Sequence, residues 1–178
     1  MQKYVALLRG INVGGNKKVP MPELRKIFED SGYLNVSTYI NSGNVIFETD
    51  RQGAERLAKE LETLLKKAFG FDIKCIMRDK KNILNLRRKI PSDWENDTEQ
   101  RTDILFLSEE FNNRKSLDLI VRTTGVDNLI YISGAIVWNM RRENYSKSSM
   151  KKFIGTILYK NMTARNLNTV RKLADLMR

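Results

Sequence analysis

Histidine is absent from this sequence of 178 residues. Without an imidazole, the chain cannot form Ser-His or Cys-His nucleophile pairs, or a metal site with a histidine ligand. Carboxylate sites for magnesium or calcium remain chemically open. However, the acidic stretch at residues 93–99 lacks the glycine and the terminal glutamate of a calcium-binding loop. We therefore predict no metal site and no cofactor.

Cysteine is nearly absent, since Cys75 is the single one. One thiol cannot form an internal disulfide, which fits a reducing compartment, so we expect a cytoplasmic protein. Cys75 alternates with Ile73 and Met77, which predicts a buried, structural side chain. Long apolar runs are also absent: stretches such as Val5 to Leu8 are too short to span a bilayer, and we see no secretory signal. We expect no membrane association.

Positive charge is abundant, with a net charge of +11. Residues 141–178 hold 10 Lys or Arg against 2 Asp or Glu, a balance of +8, whereas residues 1–140 hold 22 against 19, a balance of +3. A basic region of this kind favours an anionic partner such as a nucleotide, a nucleic acid or an acidic protein. The oligomeric state stays open.

The pattern of apolar residues predicts an α+β protein. Apolar alternation, helical periodicity and turn signals over residues 1–78 give the order βαββαβ, which is the α-β plait (ferredoxin-like) plan. The predicted elements are strands at 4–9, 36–40, 45–49 and 71–77, a helix that begins near Pro20, and a helix at 52–68. Residues 1–78 are therefore predicted to form a first subdomain.

The second half partly repeats this order. Ser42-Gly43 and Ser133-Gly134 are turns within two hairpins of similar sequence, which predicts a structural repeat. Residues 79–101 are predicted to be a helix and a polar linker, and residues 102–178 a second plait-like subdomain with basic C-terminal helices. We expect a helix at Leu117 to Val121. We also expect an N-capped helix from Thr163 in place of the final strand, so that this subdomain is incomplete or ends in an extra helix.

Two polar motifs stand out at loops. Residues 9–18 leave a strand and enter a helix, so loop N–H groups and the helix dipole could hold an anion; the candidate ligand-binding residues are Arg9, Asn12, Gly14 and Gly15. The spacing matches neither a P-loop nor a dinucleotide fingerprint, and a solvated loop is the alternative. The turn residues Asn41, Ser42 and Asn44 form a possible second cluster, although turn chemistry alone explains them.

Three separated motifs together resemble one family. They are Ala6-Leu7-Leu8-Arg9-Gly10-Ile11-Asn12-Val13-Gly14-Gly15, Asn41-Ser42-Gly43-Asn44-Val45 and Thr163-Ala164-Arg165-Asn166. In this order they resemble domain of unknown function 1697, a family of uncharacterised, mainly bacterial proteins. The resemblance implies two α-β plait subdomains and no particular activity. Ala164 and Leu167 stand where the family often has threonine and tryptophan, which argues against a ligand contact at these two positions.

Three functions stay open at this point. Our leading hypothesis is the binding of a phosphate-bearing ligand, a nucleotide or a nucleic acid, with Arg165 and Asn166 as further ligand contacts. A protein-interaction or regulatory module and an enzyme that works without histidine are the alternatives. We expect the turn at residues 41–44 to lie at the opposite edge of the sheet from Arg9. Arg9 and Asn12 would then share a site with Arg165 and Asn166 instead.

Overall fold

The computed structural model describes residues 1–15 and 17–178, and the chain divides into two compact units. The first unit comprises Met1–Lys81 with Met177–Arg178, and the second comprises Asn82–Leu176. The segment at residues 79–101 holds a helix and the loop that follows it. None of the helices in the described part of the chain is long and apolar enough to cross a bilayer.

The first unit is a four-stranded antiparallel sheet with two helices. Its strands pair in the order β2-β3-β1-β4. The elements in chain order are β1 (Gln2–Leu8), α1 (Met21–Asp30), β2 (Leu34–Tyr39), β3 (Asn44–Thr49), α2 (Ala54–Phe69) and β4 (Cys75–Asp79). The fourth strand begins four residues later than predicted, because residues 71–74 form the approach to the strand and pair with no other strand.

The core of the first unit lies between one face of this sheet and the two helices. Alternate residues of β1, Tyr4, Ala6 and Leu8, share a buried cluster with side chains of α1 and α2. The helices contribute because their apolar residues recur at i, i+3 and i+4, which gives each of them one apolar face. Cys75 belongs to this cluster and is 6% exposed, so its predicted burial is confirmed. The other face of β1 is buried as well, at Val5 and Leu7.

The second unit contains an equivalent sheet, with the order β6-β7-β5-β8. Its α-helices and strands in chain order are α3 (Lys80–Lys89), whose first two residues belong to the first unit, β5 (Gln100–Leu107), β6 (Asn128–Ile132), β7 (Ala135–Arg141), α4 (Met150–Phe153), α5 (Ile157–Lys160), β8 (Met162–Asn166) and α6 (Leu167–Leu176). Three short 3₁₀ helices, Glu109–Phe111, Arg114–Leu119 and Arg142–Asn144, lie in its connections. The helix predicted at Leu117 to Val121 is present only in part, since a six-residue 3₁₀ helix ends at Leu119 and no α-helix forms there.

The predicted repeat is present, because backbone hydrogen bonds recur at equivalent positions in the two sheets. Leu8 N–H donates to the Gly43 carbonyl at 2.8 Å, and Leu107 N–H donates to the Gly134 carbonyl at 3.1 Å. The two Ser-Gly turns therefore close equivalent hairpins. Strand registers agree as well, since Leu8 faces Cys75 in the first sheet and Leu107 faces Met162 in the second.

The prediction of a helix that begins at Thr163 is wrong. Residues Met162–Asn166 form β8 and pair antiparallel with β5, so the second sheet has its fourth strand. An N-cap does exist, but it lies three residues later: Asn166 Oδ1 accepts a hydrogen bond from Thr169 N–H at 2.8 Å. The backbone pairing with β5 satisfies groups that a helix from Thr163 would have used. The second unit is thus complete in its strands and also carries the extra helix α6.

Candidate functional site

The loop after β1 is fastened by the side chain of Asn12. Its Oδ1 accepts a hydrogen bond from Val19 N–H at 2.8 Å. Its Nδ2 donates to the Val19 carbonyl at 3.0 Å and to the Asn41 carbonyl at 2.9 Å. Asn12 adopts a φ of 55°, a left-handed conformation that asparagine tolerates better than most residues. The side chain predicted to touch a ligand is therefore occupied in joining the two ends of the loop to the turn at residues 41–44.

This contact also corrects the expected position of the turn. The first residue of β3, Asn44, faces Leu7 near the end of β1. Antiparallel partners run in opposite directions, so the end of one strand lies beside the start of the other, and not beside its end. The loop and the turn therefore meet at one edge of the sheet, and the expectation of opposite edges is wrong. The backbone of Arg9 is fixed at the same edge, where its N–H donates to the Lys74 carbonyl at 2.9 Å.

Within the turn, most of the predicted second cluster closes the hairpin itself. Asn44 is fully buried, and its Nδ2 donates to the Tyr39 carbonyl at 2.9 Å and to Ser42 Oγ at 3.1 Å. Gly43 has a φ of 74°, and a Cβ there would lie 2.7 Å from Ile11 Cδ1. Only glycine fits that position. Asn41 is exposed and Ser42 half-buried, so these are the side chains of the turn that solvent can reach.

The tip of the loop is the part left open to solvent. Gly14 and Gly15 are exposed, have φ values of 60° and 78°, and have open space where a Cβ would stand. Lys17 and Lys18 are exposed beside them. Asn16, which belongs to the predicted loop, lies outside the described residues. A ligand could therefore approach the backbone of this tip closely, with cationic side chains next to it.

Three lysines lie near the carboxylate of Asp72, next to the tip. Lys66 forms an ion pair with Asp72 at 3.0 Å. The hydrogen bond and charge of Lys66, with the nearby charges of Lys74 and Lys17, lower the pKa of Asp72 from its ordinary value. Lys17 Nζ also lies 3.4 Å from the Asp72 carbonyl and 5.7 Å from the centre of the Phe71 ring. Lys74 also pairs with Glu62 at 3.4 Å, so these three lysines meet two carboxylates. The local charge balance is still positive, which suits an anionic ligand.

Arg165 and Asn166 lie in the second unit, on β8. Arg165 is 7% exposed, and its Nη1 donates to Thr163 Oγ1 at 2.9 Å and to the Ala164 carbonyl at 2.7 Å. The amide oxygen of Asn166 caps α6. Of the two positions that differ from the usual family motif, Ala164 is exposed and Leu167 is 1% exposed. A ligand contact by Arg165 or Asn166 stays a prediction.

Arg165 has an internal counterpart that the sequence did not reveal. Arg165 faces Ile104 on β5, and Arg78 faces Val5 at the equivalent place in the first sheet. Arg78 is 8% exposed, and its Nη1 donates to the carbonyl of the preceding residue at 2.7 Å, as Arg165 Nη1 does. A buried arginine on the fourth strand is thus a property of the repeat. The predicted repeat aligned the two Ser-Gly turns but not the fourth strands of the two sheets. The equivalence of Arg78 and Arg165 was therefore not predicted.

Two cavities of the second unit were also missed. One, of about 280 Å³, has Arg87 and Arg171 in its wall, and these arginines already pair with Asp175 and Glu95. The other, of about 480 Å³, lies by the 3₁₀ helix Arg114–Leu119 and has three cationic side chains, Arg114, Lys115 and Arg122, in its wall. The three cations that flank Leu117 in the sequence were an available signal for this cavity. The helix predicted there gave no reason to expect one.

The fold and these sites define a class: an α+β protein of two units, each built on a four-stranded antiparallel sheet, with exposed basic loops. The chain belongs to the family Protein of unknown function (DUF1697), whose model matches residues 1–138. The predicted family is therefore confirmed. No match was found among curated proteins. Among solved structures, the chain is similar to the conserved bacterial protein SP0830 from Streptococcus pneumoniae, with 28% identity over 99% of both chains and a TM-score of 0.86.

Proposed function

We propose that this protein binds a phosphate-bearing ligand, a nucleotide or a nucleic acid, at the tip of the loop that follows β1. The observation that carries the proposal is the attachment of this loop. Asn12 fastens its two ends and ties it to the hairpin, which holds the exposed Gly14 and Gly15 at a fixed edge of the sheet. A preorganised loop loses less entropy when it binds a ligand than a free one does.

Charge supports the same conclusion. Lys17 and Lys18 are exposed at this edge. Lys74 is exposed there as well but pairs with Glu62, and Asp72 pairs with Lys66. An ammonium group binds a phosphate as a point charge, without the fixed geometry of a guanidinium fork. The site is open, which suits a phosphate group at the end of a nucleotide or along a single strand. Arg9 is half-buried at the base of the loop and contributes to the positive potential.

The test is fluorescence anisotropy with a labelled single-stranded oligonucleotide, and with unlabelled nucleotides as competitors, over a range of salt concentrations. We expect wild-type binding to weaken as salt rises, because released counterions contribute to the affinity. The variant K17Q/K18Q should bind at least tenfold more weakly. Its slope of log affinity against log salt should be smaller by about 1.4, because two lysines are removed and each contributes about 0.7 on a single strand.

The matched control is K26Q/K67Q, which removes two exposed lysines from α1 and α2 of the same unit. It changes the net charge equally and leaves the loop intact, so we expect wild-type affinity. Equal weakening in both variants would mean that net charge alone attracts the ligand. If K17Q/K18Q bound the oligonucleotide as tightly as the wild type does, the proposed site would be wrong.

We infer further that both units are variants of the α-β plait and that the protein is cytoplasmic. The strand orders, and helices that follow the first and third strands of the first unit, support the plait. The sequence has one cysteine, Cys75, which is buried and cannot form an internal disulfide, and this supports a reducing compartment. Superposition on plait domains and fractionation of cells are the respective tests.

A further inference from the structure

The 480 Å³ cavity of the second unit lies beside a connection that contains no long helix. In the first unit, the connection between the first two strands carries α1, which buries Leu24 and Phe28 completely. The equivalent connection of the second unit carries only 3₁₀ helices of three and six residues. The longer of these, Arg114–Leu119, contacts β6, the edge strand of the sheet. The cavity therefore lies at the place in the repeat where the first unit has the ten-residue α1.

Three of the seven residues that line this cavity are apolar, and we call them the floor. Leu117, Ile120 and Leu129 line it; Ile120 is 6% exposed, and the two leucines are half-buried. A volume of about 480 Å³ lies in the usual range for small-molecule sites, roughly 300 to 1,000 Å³. Sites of this kind combine an apolar surface with a few polar groups that fix the orientation of the ligand.

The wall supplies an excess of positive charge. Three of the lining residues are cationic, and one is a carboxylate, Asp118. The cations are Arg114, Lys115 and Arg122. In the described part of the chain, none of these three cations forms an ion pair or a side-chain hydrogen bond. The arginines in the wall of the smaller cavity, Arg87 and Arg171, are both paired with carboxylates. The guanidinium donors of the larger cavity are therefore available to a ligand.

We propose that this cavity is a second binding site, for a small phosphomonoester that carries an apolar or planar group, such as a nucleoside monophosphate. Arg114 and Arg122 bind the phosphate oxygens through guanidinium forks, and Lys115 adds a third positive charge. The planar group covers Leu117, Ile120 and Leu129, because an inorganic phosphate would leave this apolar floor in contact with water. The site is independent of the loop in the first unit.

Isothermal titration calorimetry with adenosine 5′-monophosphate tests the affinity, with inorganic phosphate and adenosine as separate probes. We expect the monophosphate to bind at least tenfold more tightly than either part alone. The variant R114Q/R122Q should weaken its binding at least tenfold. The control K160Q/K172Q removes two exposed lysines from the same unit and should bind as the wild type does.

Backbone chemical shifts locate the ligand without any substitution. We expect the monophosphate to shift the amides of residues 114–122 and 128–130 in the full chain. Shifts confined to residues 10–19, abolished in K17Q/K18Q, would overturn this second site and support the loop instead. Absence of binding, or inorganic phosphate that binds as tightly as the nucleotide, would also overturn it. If K17Q/K18Q no longer binds an oligonucleotide but still gives the shifts at residues 114–122, the two sites are separate.

Discussion

The two halves of the molecule build the same sheet but close their cores by different means. Phe47 on β3 and Trp138 on β7 occupy equivalent positions, since they face Tyr4 and Asp103 at the same register. Phe47 lies in an aromatic cluster, with its ring centre 4.6 Å from that of Tyr33. Trp138 also packs against an aromatic ring, but its indole Nε1 donates a hydrogen bond to Asp127 at 3.0 Å.

Asp127 connects several segments of the second half. One carboxylate oxygen accepts bonds from Trp138 Nε1 and Ser148 Oγ, and the other from Thr123 N–H and from Ser149 through both its N–H and its hydroxyl. The helices near it are only four residues long, so they bury less apolar surface than the sixteen-residue α2 does. The second half also has the ten-residue α3 and α6, but beside the short α4 the hydrogen bonds of this carboxylate add stability that the first half gains from the apolar face of α2. Equal topology does not require equal sources of stability.

The largest expected effect belongs to Gly43 in the first half, with Gly125 in the second half as its control. Both glycines have a φ of 74°, but a Cβ at Gly125 meets nothing within 4 Å, whereas one at Gly43 would meet Ile11 and Leu8. We expect G125A to lose about 1 kcal/mol through backbone strain alone. We expect G43A to lose about 3 kcal/mol, because overpacking is added. Urea denaturation measures both, and equal losses would show that the hairpin has room for a side chain.

Substitution of Asp127 tests how much its hydrogen bonds stabilise the second half. In D127N, an amide NH₂ faces donors that previously bonded to a carboxylate oxygen, so buried donors lose their acceptor. We expect a loss on the order of 2 kcal/mol in the free energy of unfolding. D118N, at an exposed position of the same unit, should change it by less than about 0.5 kcal/mol. A D127N protein as stable as the wild type would show that packing around Trp138 suffices.

The same carboxylate predicts how stability depends on pH. Burial raises the pKa of Asp127, but hydrogen bonds from Ser148, Thr123 and Ser149 outweigh it and lower the pKa from 3.8 to about 2. The folded state thus binds this proton less readily than the unfolded state, so the contribution is complete above about pH 4 and is lost as the pH falls towards 2. The wild type should lose on the order of 2 kcal/mol more than D127N in that window. If the free energy of unfolding of the two proteins changed with pH in parallel, this prediction would be wrong.

The sequence predicted features that depend on local chemistry. Ser42-Gly43 and Ser133-Gly134 identified both hairpins, because a positive φ in a short turn requires glycine whatever surrounds it. The burial of Cys75 followed from alternation along one strand. Strand β8 was missed because Thr163 to Asn166 suits a helix N-terminus locally, and only pairing with β5 decides otherwise.

The candidate site was predicted less well, for a related reason. Asn12 was correctly placed in the loop, but its bonds reach Val19 and Asn41, and spacing along the chain does not reveal side-chain bonds to a distant backbone. The cavity beside Arg114 lies where the chain forms a 3₁₀ helix in place of the predicted one. A cavity depends on how completely helices and loops cover a sheet, and the sequence alone does not reveal this.

A smaller effect is expected where each half fastens its hairpin with an asparagine. Asn12 holds the first turn, and Asn112 Oδ1 holds the second by accepting from Gly134 N–H at 2.7 Å and from Tyr131 Oη–H at 2.9 Å. We expect N12A and N112A each to lose about 1 to 2 kcal/mol, for lost bonds and, at Asn12, a left-handed φ. The N12A protein should also bind the oligonucleotide more weakly, and N112A should not. Equal binding by both variants would show that the hydrogen bonds of Asn12 do not contribute to ligand affinity.

The smallest expected effect is at Cys75, whose equivalent on β8 is Met162. Both side chains are buried, at 6% and 3% exposure, and Cys75 Sγ lies 3.7 Å from Met77 Sδ. We expect C75A to lose about 1 kcal/mol through packing and to leave ligand binding unchanged, since a thiol behaves in a core as a small apolar group. A thiol reagent should label the native protein slowly, at a rate set by opening of the first half, and should label the urea-unfolded protein at once. Rapid labelling under native conditions would show that the core of the first half opens more readily than its long helices imply, which would weaken the contrast between the two halves.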